Sequence, residues 1–339
     1  MDYKKVGALL LVGVVALVLM VMYVGPDQIF DALKTANINY VILAIVVQFI
    51  ILALWNFRWS VICDSLDIPH NKLSLFAMTI VGLAVNDLTP SGRSGGEPVR
   101  AYMLNRSSNV EFKKTFATVM GDKLFDTVPF MVLAIFAISY LMFKLHLNTT
   151  IFAVLLISLV LFILALAFII YISFNEVVGI RTIEWVFRQL RKILSRDLDK
   201  YENTAKTSLV GFQNSLRYIM ADRKLMIIAT IISFVVWFLE LIRVYIVFMA
   251  FGVHVELGMV AAVFLVSTLI GIIPALPGGL GSIDGVMILL YSMAGVTASI
   301  STAATLVERM ISLWMVIIIG VILLPFFGTG VLDHIGDEG

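Results

Sequence analysis

The sequence has few cysteines, few histidines and few charged residues, and each shortage excludes a class of protein. Cys63 is the single cysteine of the 339 residues, so neither an internal disulfide nor a cysteine metal cluster is possible. The four histidines are scattered and form no pair with metal-ligand spacing. Charged residues make up only 14% of the chain, against about 25% in soluble proteins. We therefore expect no metal or other cofactor, and no soluble catalytic domain.

Nucleotide and nucleic-acid binding are also disfavoured. The segment PGGLGSIDG at 277–285 is rich in glycine, but it lacks the lysine and the Ser/Thr ending of a phosphate-binding P-loop. The net charge of +1 provides no basic surface for nucleic acid. We therefore expect no nucleic-acid partner.

Long apolar runs dominate the sequence. Hydrophobic residues make up 60% of the chain, and runs of the length that crosses a bilayer as a helix recur along it. They predict six full spans, at 5–24, 40–60, 115–141, 149–174, 225–250 and 303–326. The first run is too long for the apolar core of a signal peptide. We therefore predict an all-α polytopic protein of the cell membrane, with residues 1–339 forming one transmembrane domain.

Two further apolar stretches, 74–104 and 258–295, are interrupted near their middle by glycine and proline. Each half is about 10 to 17 residues long, which is too short for a full crossing. A re-entrant hairpin of two half-helices, which enters and leaves on one side of the membrane, fits both stretches.

Lysines and arginines near the span ends predict the orientation, because these residues concentrate on the cytoplasmic side. Lys4 and Lys5 place the N-terminus in the cytoplasm, and six crossings bring the C-terminus back to the same side. The connection 175–224 carries ten Lys/Arg against six Asp/Glu, with apolar residues at helical spacing. It is predicted to form cytoplasmic amphipathic helices.

The order of elements repeats between residues 39–141 and 225–326. Each half has a span, an interrupted hairpin and a second span that carries charges, GDKLFD in one and VERM in the other. With the orientation above, the first hairpin opens from the cytoplasm and the second from outside. This order predicts an inverted repeat with two opposed hairpins.

The interruptions mark a candidate cavity, because non-helical backbone inside a membrane needs protein or water to satisfy its polar groups. Glycine allows a tight turn and a close approach to a ligand. A half-helix that begins near Gly96 would direct N–H groups and the positive end of its dipole at an anion, and arginine holds phosphate through a planar fork of donors. The candidate substrate-binding residues are Arg93, Glu97, Arg100, Lys123, Arg243, Arg309, Gly95, Gly96, Gly278 and Gly279.

Carboxylates accompany these cations. We expect Glu97 to be the counter-ion of Arg93 and Arg100 when no ligand is bound. Ionisable residues within a membrane are functional candidates by default, although structural ion pairs or snorkelling to the interface are the alternatives. Ser282 could cap the half-helix that leaves the second interruption. The candidates for ion pairing or ion coupling are Asp122, Asp126, Glu240, Asp284 and Glu308.

The segments NDLTPSGRSGGEPVRAYML, GDKLFD, PALPGGLGSIDG and ATLVERMISLW together resemble the membrane domain of the lysylphosphatidylglycerol synthase family. The likeness covers nearly the whole chain. It implies a flippase-like domain that moves an anionic or aminoacylated lipid between leaflets. The larger synthases carry a soluble aminoacyl-transferase domain that this sequence lacks, so the resemblance implies translocation rather than lipid synthesis.

These observations together predict a lipid translocase without enzymatic activity, acting on an anionic phospholipid or a polyprenyl-phosphate-type lipid in the bilayer. Three alternatives stay open. One is a secondary transporter of a small organic anion, and another is a membrane enzyme with Glu97 or Asp122 as base. The third is a membrane partner of a separate lipid-modifying transferase.

Overall fold

A computed structural model describes residues 26–89, 95–145, 149–193, 198–271 and 277–327, together with Val18 and Met22. Regular structure within these residues is helical throughout, and the described ranges contain no strand. The predicted all-α class is therefore confirmed.

The helices fall into two series separated by a connecting pair. The first series is α1 (Pro26–Thr35), α2 (Ile38–Ser65), α3 (Lys72–Leu88), α4 (Gly96–Ser108), α5 (Phe112–Leu145) and α6 (Thr149–Phe174). The connecting pair is α7 (Glu176–Ile193) and α8 (Asp199–Ala221). The second series is α9 (Arg223–Ala250), α10 (Leu257–Gly271), α11 (Ser282–Met293), α12 (Ala298–Arg309) and α13 (Met315–Leu323). A π-helical turn, Met310–Trp314, joins α12 to α13, and 3-10 turns lie at Pro277–Gly279 and Leu324–Phe327.

Five helical segments are long and apolar enough to cross a membrane within the described ranges. They are Ile38–Ser65, Phe112–Lys144, Leu155–Phe174, Arg223–Ala250 and Ala298–Phe327. Each coincides with a predicted span. The remaining prediction, at 5–24, falls almost wholly outside the described residues.

Side-chain caps account for the starts of several helices. Asn37, Asn71 and Asp222 each accept a hydrogen bond from a main-chain N–H two residues further on, which satisfies a donor at the beginning of α2, α3 and α9. Local sequence chemistry therefore fixes where α2, α3 and α9 begin.

The two long helices α2 and α9 pack along each other at the centre of the molecule. Their contact faces are buried and include Ile51, Val236, Val244 and Val247. Helix α6 lies at the periphery, since only 11% of its most apolar stretch is buried inside the protein. Large apolar side chains on its outer surface, such as Leu161 and Phe168, are therefore available to lipid.

Both predicted interruptions coincide with helix ends. Helix α3 ends at Leu88 and α4 begins at Gly96, while α10 ends at Gly271 and α11 begins at Ser282. The α3–α4 pair packs tightly, because a Cβ atom on Gly96 would lie 1.9 Å from the main-chain oxygen of Gly82. Only glycine fits this crossing.

The ends of the two interrupted segments approach each other. The 3-10 turn that contains Gly278 packs against α3. A Cβ atom added to Gly278 would lie 3.2 Å from the main-chain oxygen of Asp87. Gly278 and Gly279 have φ of 58° and 64°, a left-handed backbone that favours glycine.

The connecting pair α7–α8 confirms the helical prediction for 175–224. Leu216 and Ile219 of α8 are fully buried, and both lie beside Gly121 of α5. One face of α8 therefore packs against the helices of the first series.

Candidate functional site

The first series contains a buried ion-pair network centred on Arg58 of α2. The Arg58 Nε donates to Asp122 Oδ1 at 2.7 Å, and its Nη1 donates to Asp126 Oδ1 at 3.1 Å and to Ser233 Oγ at 2.6 Å. Both terminal nitrogens of Arg100 donate to Asp122 Oδ2, each at 3.1 Å. Asp122 is 3% exposed, so two guanidinium groups compensate one deeply buried carboxylate.

A second pair in this half joins α5 to the start of α4. The Lys123 Nζ donates to Glu97 Oε1 at 2.8 Å. Asn86 holds the same region from α3, because its amide donates to Glu97 Oε1 at 3.3 Å and accepts from the Gly96 N–H at 2.6 Å. The first main-chain donor of α4 is thus satisfied by a side chain of α3. We call the pairs around Arg58, Arg100, Asp122, Asp126, Lys123 and Glu97 the first network.

A corresponding set of pairs in the second series is centred on Arg243 of α9. The Arg243 Nη2 lies 2.6 Å from Glu240 Oε2 on the same helix and 2.8 Å from Glu308 Oε1 on α12. Its Nη1 donates to Gln48 Oε1 on α2. Arg243 is 1% exposed.

Arg309 joins α12 to the second interruption. Its Nε lies 2.9 Å from Asp284 Oδ1, in ionic contact although not in hydrogen-bond alignment. Its Nη2 donates to the main-chain oxygen of Gly278. Asp284 Oδ2 accepts from the Gly281 N–H at 2.7 Å, so this carboxylate both caps the start of α11 and pairs with an arginine. The pairs around Arg243, Glu240, Glu308, Arg309 and Asp284 form the second network.

The two networks occupy matching places in the chain. Arg58 stands twenty residues after the first residue of α2, and Arg243 stands twenty residues after the first residue of α9. Each arginine donates to the other helix at the residue that stands ten positions after that helix begins, Ser233 and Gln48 respectively.

The partners of the two arginines match as well. In each series an acidic residue and the basic residue after it stand side by side in a later helix. The acidic residue pairs with the arginine of α2 or α9, and the basic residue pairs with a carboxylate in the first turn of α4 or α11. The residues are Arg58, Asp122, Lys123 and Glu97 in the first series and Arg243, Glu308, Arg309 and Asp284 in the second.

A cavity of about 150 Å³ lies between the two networks and takes its wall from both. Its cationic wall residues in the described chain are Lys123, Arg243 and Arg309, and its acidic ones are Asp87, Asp126, Glu240 and Glu308. Trp55, Trp237, Gln48 and Asn86 add polar edges, and Phe264, Leu313 and Val316 are among the apolar residues. We call this space the polar cavity.

The polar cavity is lined by an arginine with a buried donor that makes no hydrogen bond. The Nε of Arg243 is buried and finds no hydrogen-bond acceptor among the described residues, whereas the Nε of Arg309 is in ionic contact with Asp284 Oδ1 at 2.9 Å. An unmade hydrogen bond of a charged donor is costly in a low-dielectric site. The Nε of Arg243 is therefore a candidate donor to an anionic ligand.

The predicted site residues divide into three groups. Lys123, Arg243, Arg309, Asp126, Glu240 and Glu308 line the polar cavity. Glu97, Arg100, Asp122 and Asp284 stand behind the wall and hold lining residues or one another. Gly96, Gly278 and Gly279 shape the backbone nearby, Gly95 precedes α4, and Arg93 lies outside the described residues.

Two details differ from the sequence prediction. Glu97 pairs with Lys123, whereas Arg100 pairs with Asp122, because α5 runs between α2 and α4 and offers its own charges to both. Ser282 does not cap α11. Its hydroxyl donates to the main-chain oxygen of Gly279, and Asp284 accepts the main-chain donor instead.

Sequence reasoning missed several residues of the site. Arg58 lies late in an apolar span and was not assigned to the site, and Gln48 and Asn86 carry no charge to draw attention. Trp55 and Trp237 were missed because tryptophan is common in membrane spans. A polar residue inside an otherwise apolar run, as at Gln48, is the signal that could have found them.

Known sequences place the chain in a family. The model of the lysylphosphatidylglycerol synthase TM region matches residues 6–320. A UPF0104 membrane protein of Methanothermobacter thermautotrophicus is 43% identical over 336 residues, covering 99% of both chains. UPF0104 membrane proteins of Methanocaldococcus jannaschii and Pyrococcus horikoshii are 28% and 26% identical, each over 93% of this chain and over 92% and 95% of their own lengths. The chain is a multi-pass membrane protein and belongs to the lysylphosphatidylglycerol synthase transmembrane-region family.

Proposed function

We propose that this protein is a lipid translocase, which moves an anionic phospholipid or a polyprenyl-phosphate-type lipid between the leaflets without changing it chemically. The observation that carries the proposal is the polar cavity. Its wall holds Lys123, Arg243 and Arg309 among helices that are apolar enough to span a membrane. A phosphate group needs such a set of donors to leave water.

The energetics explain why a cavity of this kind suits lipid exchange. A charged headgroup that enters hydrocarbon loses its hydration, at a cost of several kcal/mol or more per charge. The fixed side chains of Lys123, Arg243 and Arg309 replace water as hydrogen-bond donors. A cavity of about 150 Å³ is smaller than the roughly 300–1,000 Å³ of pockets for drug-sized ligands. It therefore suits a headgroup, while the lipid tails stay in the bilayer.

We also propose that residues 39–141 and 225–326 form an inverted repeat and that the segments 74–104 and 258–295 are re-entrant hairpins. The matched positions of Arg58 and Arg243 support this, as do the equal lengths of α2 and α9, 28 residues each. In this arrangement both termini lie in the cytoplasm, and the two hairpins open to opposite sides of the membrane.

The mechanism follows from the position of the networks. Lys123 bonds Glu97 at the start of α4, and Arg309 bonds the turn before α11, so each network joins one interrupted hairpin to the spanning segment that follows it in the chain. A phosphate that accepts hydrogen bonds from Lys123 or Arg309 competes with these contacts to the hairpins. Loosening one hairpin at a time would open the cavity to one leaflet at a time. The sequence has no ATPase motif, so we propose that a lipid or ion gradient drives net movement.

The proposal is tested by leaflet exchange in proteoliposomes. Reporters with a fluorophore on the acyl or prenyl chain, one a phospholipid and one a polyprenyl phosphate, are followed by membrane-impermeant quenching. We expect faster exchange than in empty liposomes for at least one reporter. No acceleration of either reporter, with and without a proton gradient, would contradict translocation. A small-anion transporter would instead release a trapped water-soluble organic anion from the same vesicles.

A further inference from the structure

Asp126 lies at the meeting point of α2, α5 and α9, where it forms part of the wall of the polar cavity with two tryptophans. Trp55 Nε1 donates to Asp126 Oδ1 at 3.3 Å, and Trp237 Nε1 donates to the Asp126 main-chain oxygen at 3.0 Å. All three residues line the cavity. The two indole rings are thus fixed by their N–H edges to the same acidic residue.

One oxygen of this carboxylate is left open. Both donors to the side chain, Arg58 Nη1 and Trp55 Nε1, reach Oδ1, while Oδ2 accepts no hydrogen bond from any residue in the described ranges. The Asp126 side chain is 23% exposed, although Asp122, one turn earlier, is 5% exposed. Asp126 therefore presents an acceptor to the cavity, whereas both carboxylate oxygens of Asp122 accept hydrogen bonds from arginines.

An open carboxylate oxygen in a cavity wall that also holds two tryptophans suits an organic cation. Aromatic rings attract ammonium groups through their π-electrons, and tryptophan does so best. A hard metal cation would need about six or more oxygen ligands, and indole rings supply none. The surroundings therefore favour an ammonium group over an inorganic ion.

The same cavity is lined by Arg243 and Arg309, whose guanidinium groups suit a phosphate, and the Arg243 Nε makes no hydrogen bond among the described residues. Its wall also carries carboxylates, which attract an ammonium group. A headgroup that carries both a phosphate and an ammonium would match both kinds of wall residue.

We propose that Asp126, Trp55 and Trp237 form a subsite for the ammonium group of a zwitterionic phospholipid headgroup, with the phosphate on the arginines of the second network. This inference rests on the proposed function for translocation and for the phosphate site, and it replaces the anionic headgroup of that proposal by a zwitterionic one. The small volume of the cavity favours a short arm between the two groups, as in phosphoethanolamine.

The first test measures binding and does not require transport. Phosphoethanolamine and glycerol 3-phosphate are compared for their effect on the thermal unfolding midpoint of the purified protein. We expect phosphoethanolamine to raise the midpoint more, and the difference to vanish in Asp126→Asn. The asparagine keeps an oxygen to accept from Arg58 and Trp55, so this variant should fold. Asp31→Asn is the matched control, since Asp31 is an exposed carboxylate on α1.

The second test measures exchange of three reporters that carry the same acyl-chain fluorophore. They are phosphatidylethanolamine, its N-acetylated form and phosphatidylglycerol. We expect Asp126→Asn to slow exchange of phosphatidylethanolamine by about tenfold more than it slows exchange of the other two reporters, the order of one cation–π and carboxylate contact. Asp31→Asn should affect none of the reporters.

Failure of the inference differs from failure of the proposed function. If no reporter exchanges in the unaltered protein, translocation is contradicted, and the thermal comparison still decides the subsite. If Asp126→Asn slows all three reporters equally, or if phosphoethanolamine and glycerol 3-phosphate stabilise the protein equally, the ammonium subsite is wrong. A midpoint that rises with sodium chloride but not with choline chloride would also overturn it, in favour of an inorganic cation.

Discussion

Arg58 and Arg243 each donate a hydrogen bond to the helix that carries the other. Arg58 Nη1 reaches Ser233 Oγ on α9 at 2.6 Å, and Arg243 Nη1 reaches Gln48 Oε1 on α2. The two guanidinium groups therefore join α2 and α9 at two places along their crossing. Both are almost fully buried, so the joint is shielded from water and salt.

Replacing Arg243 by methionine should strongly destabilise the protein. The change leaves Glu240 and Glu308 without their shared guanidinium in a buried site, and loss of one partner of a buried ion pair costs about 3–5 kcal/mol. The free energy of unfolding in detergent micelles measures this effect. Lys34→Ala is the control, because it removes an exposed pair with Asp31 and should change stability little. Equal effects of the two changes would show that the buried network contributes no special stability.

Gly96→Ala should separate α3 from α4. The new Cβ would lie 1.9 Å from the main-chain oxygen of Gly82, which only a backbone shift can relieve. We expect a lower unfolding midpoint and a slower leaflet exchange, because Glu97 moves with the start of α4. Gly121→Ala is the matched control, since its Cβ would meet only ordinary contacts at 3.5 Å. A Gly96→Ala protein with the unaltered midpoint would contradict the tight crossing.

The Lys123–Glu97 pair should show coupling in a double-mutant cycle. Lys123→Gln alone leaves the buried Glu97 carboxylate without its lysine, which costs about 1–3 kcal/mol. Removing both charges, as in Glu97→Gln with Lys123→Gln, should recover most of that loss, because no buried charge is left unpaired. The cycle is measured by unfolding. Strictly additive effects would mean that the two side chains do not interact.

The connecting pair α7–α8 should loosen in acid. Glu202 of α8 accepts from Lys206 and Arg191, and the hydrogen bond from Lys206 is the main cause that lowers the pKa of Glu202 below its ordinary value of 4.5. A carboxylate with a lowered folded pKa adds stability above its ordinary pKa and loses it as pH falls through the folded value. We therefore expect faster hydrogen exchange in α7 and α8 below pH 4.5, after correction for intrinsic rates.

Glu202→Gln provides the control for this acid effect. The variant should exchange faster than the unaltered protein at neutral pH, and it should show a smaller further change in acid. An acid response that is equally large in both proteins would assign the titration to another group.

Long apolar runs could be read directly from the sequence, because a helix that crosses a bilayer must be apolar over about 20 residues. Five predicted spans therefore coincide with helices that the structure describes. The helix ends at Leu88 and Gly271 were also predictable, because prolines and glycines follow both residues and interrupt helices.

The ion-pair partners could not be predicted in the same way. Arg58 and Asp122 are 64 residues apart, and sequence spacing does not tell which face of one span meets another. Glu97 was expected to pair with its near neighbour Arg100, yet α5 brings Lys123 to it. Uncharged members such as Gln48 are recognisable only when the packing of α2 on α9 is known.

The most direct test of the account compares leaflet exchange by two charge-neutral double variants. Glu97→Gln with Lys123→Gln removes a cation from the wall of the polar cavity, while Lys144→Gln with Glu256→Gln removes a pair outside it, at 3.1 Å between exposed side chains. Both changes delete one lysine and one glutamate, so the net charge is the same in the two variants. If the cavity carries the phosphate, the first variant loses at least about tenfold in exchange rate, the effect of one charge-assisted hydrogen bond, and the second keeps the unaltered rate. Equal rates in both variants would contradict passage of the headgroup through the polar cavity.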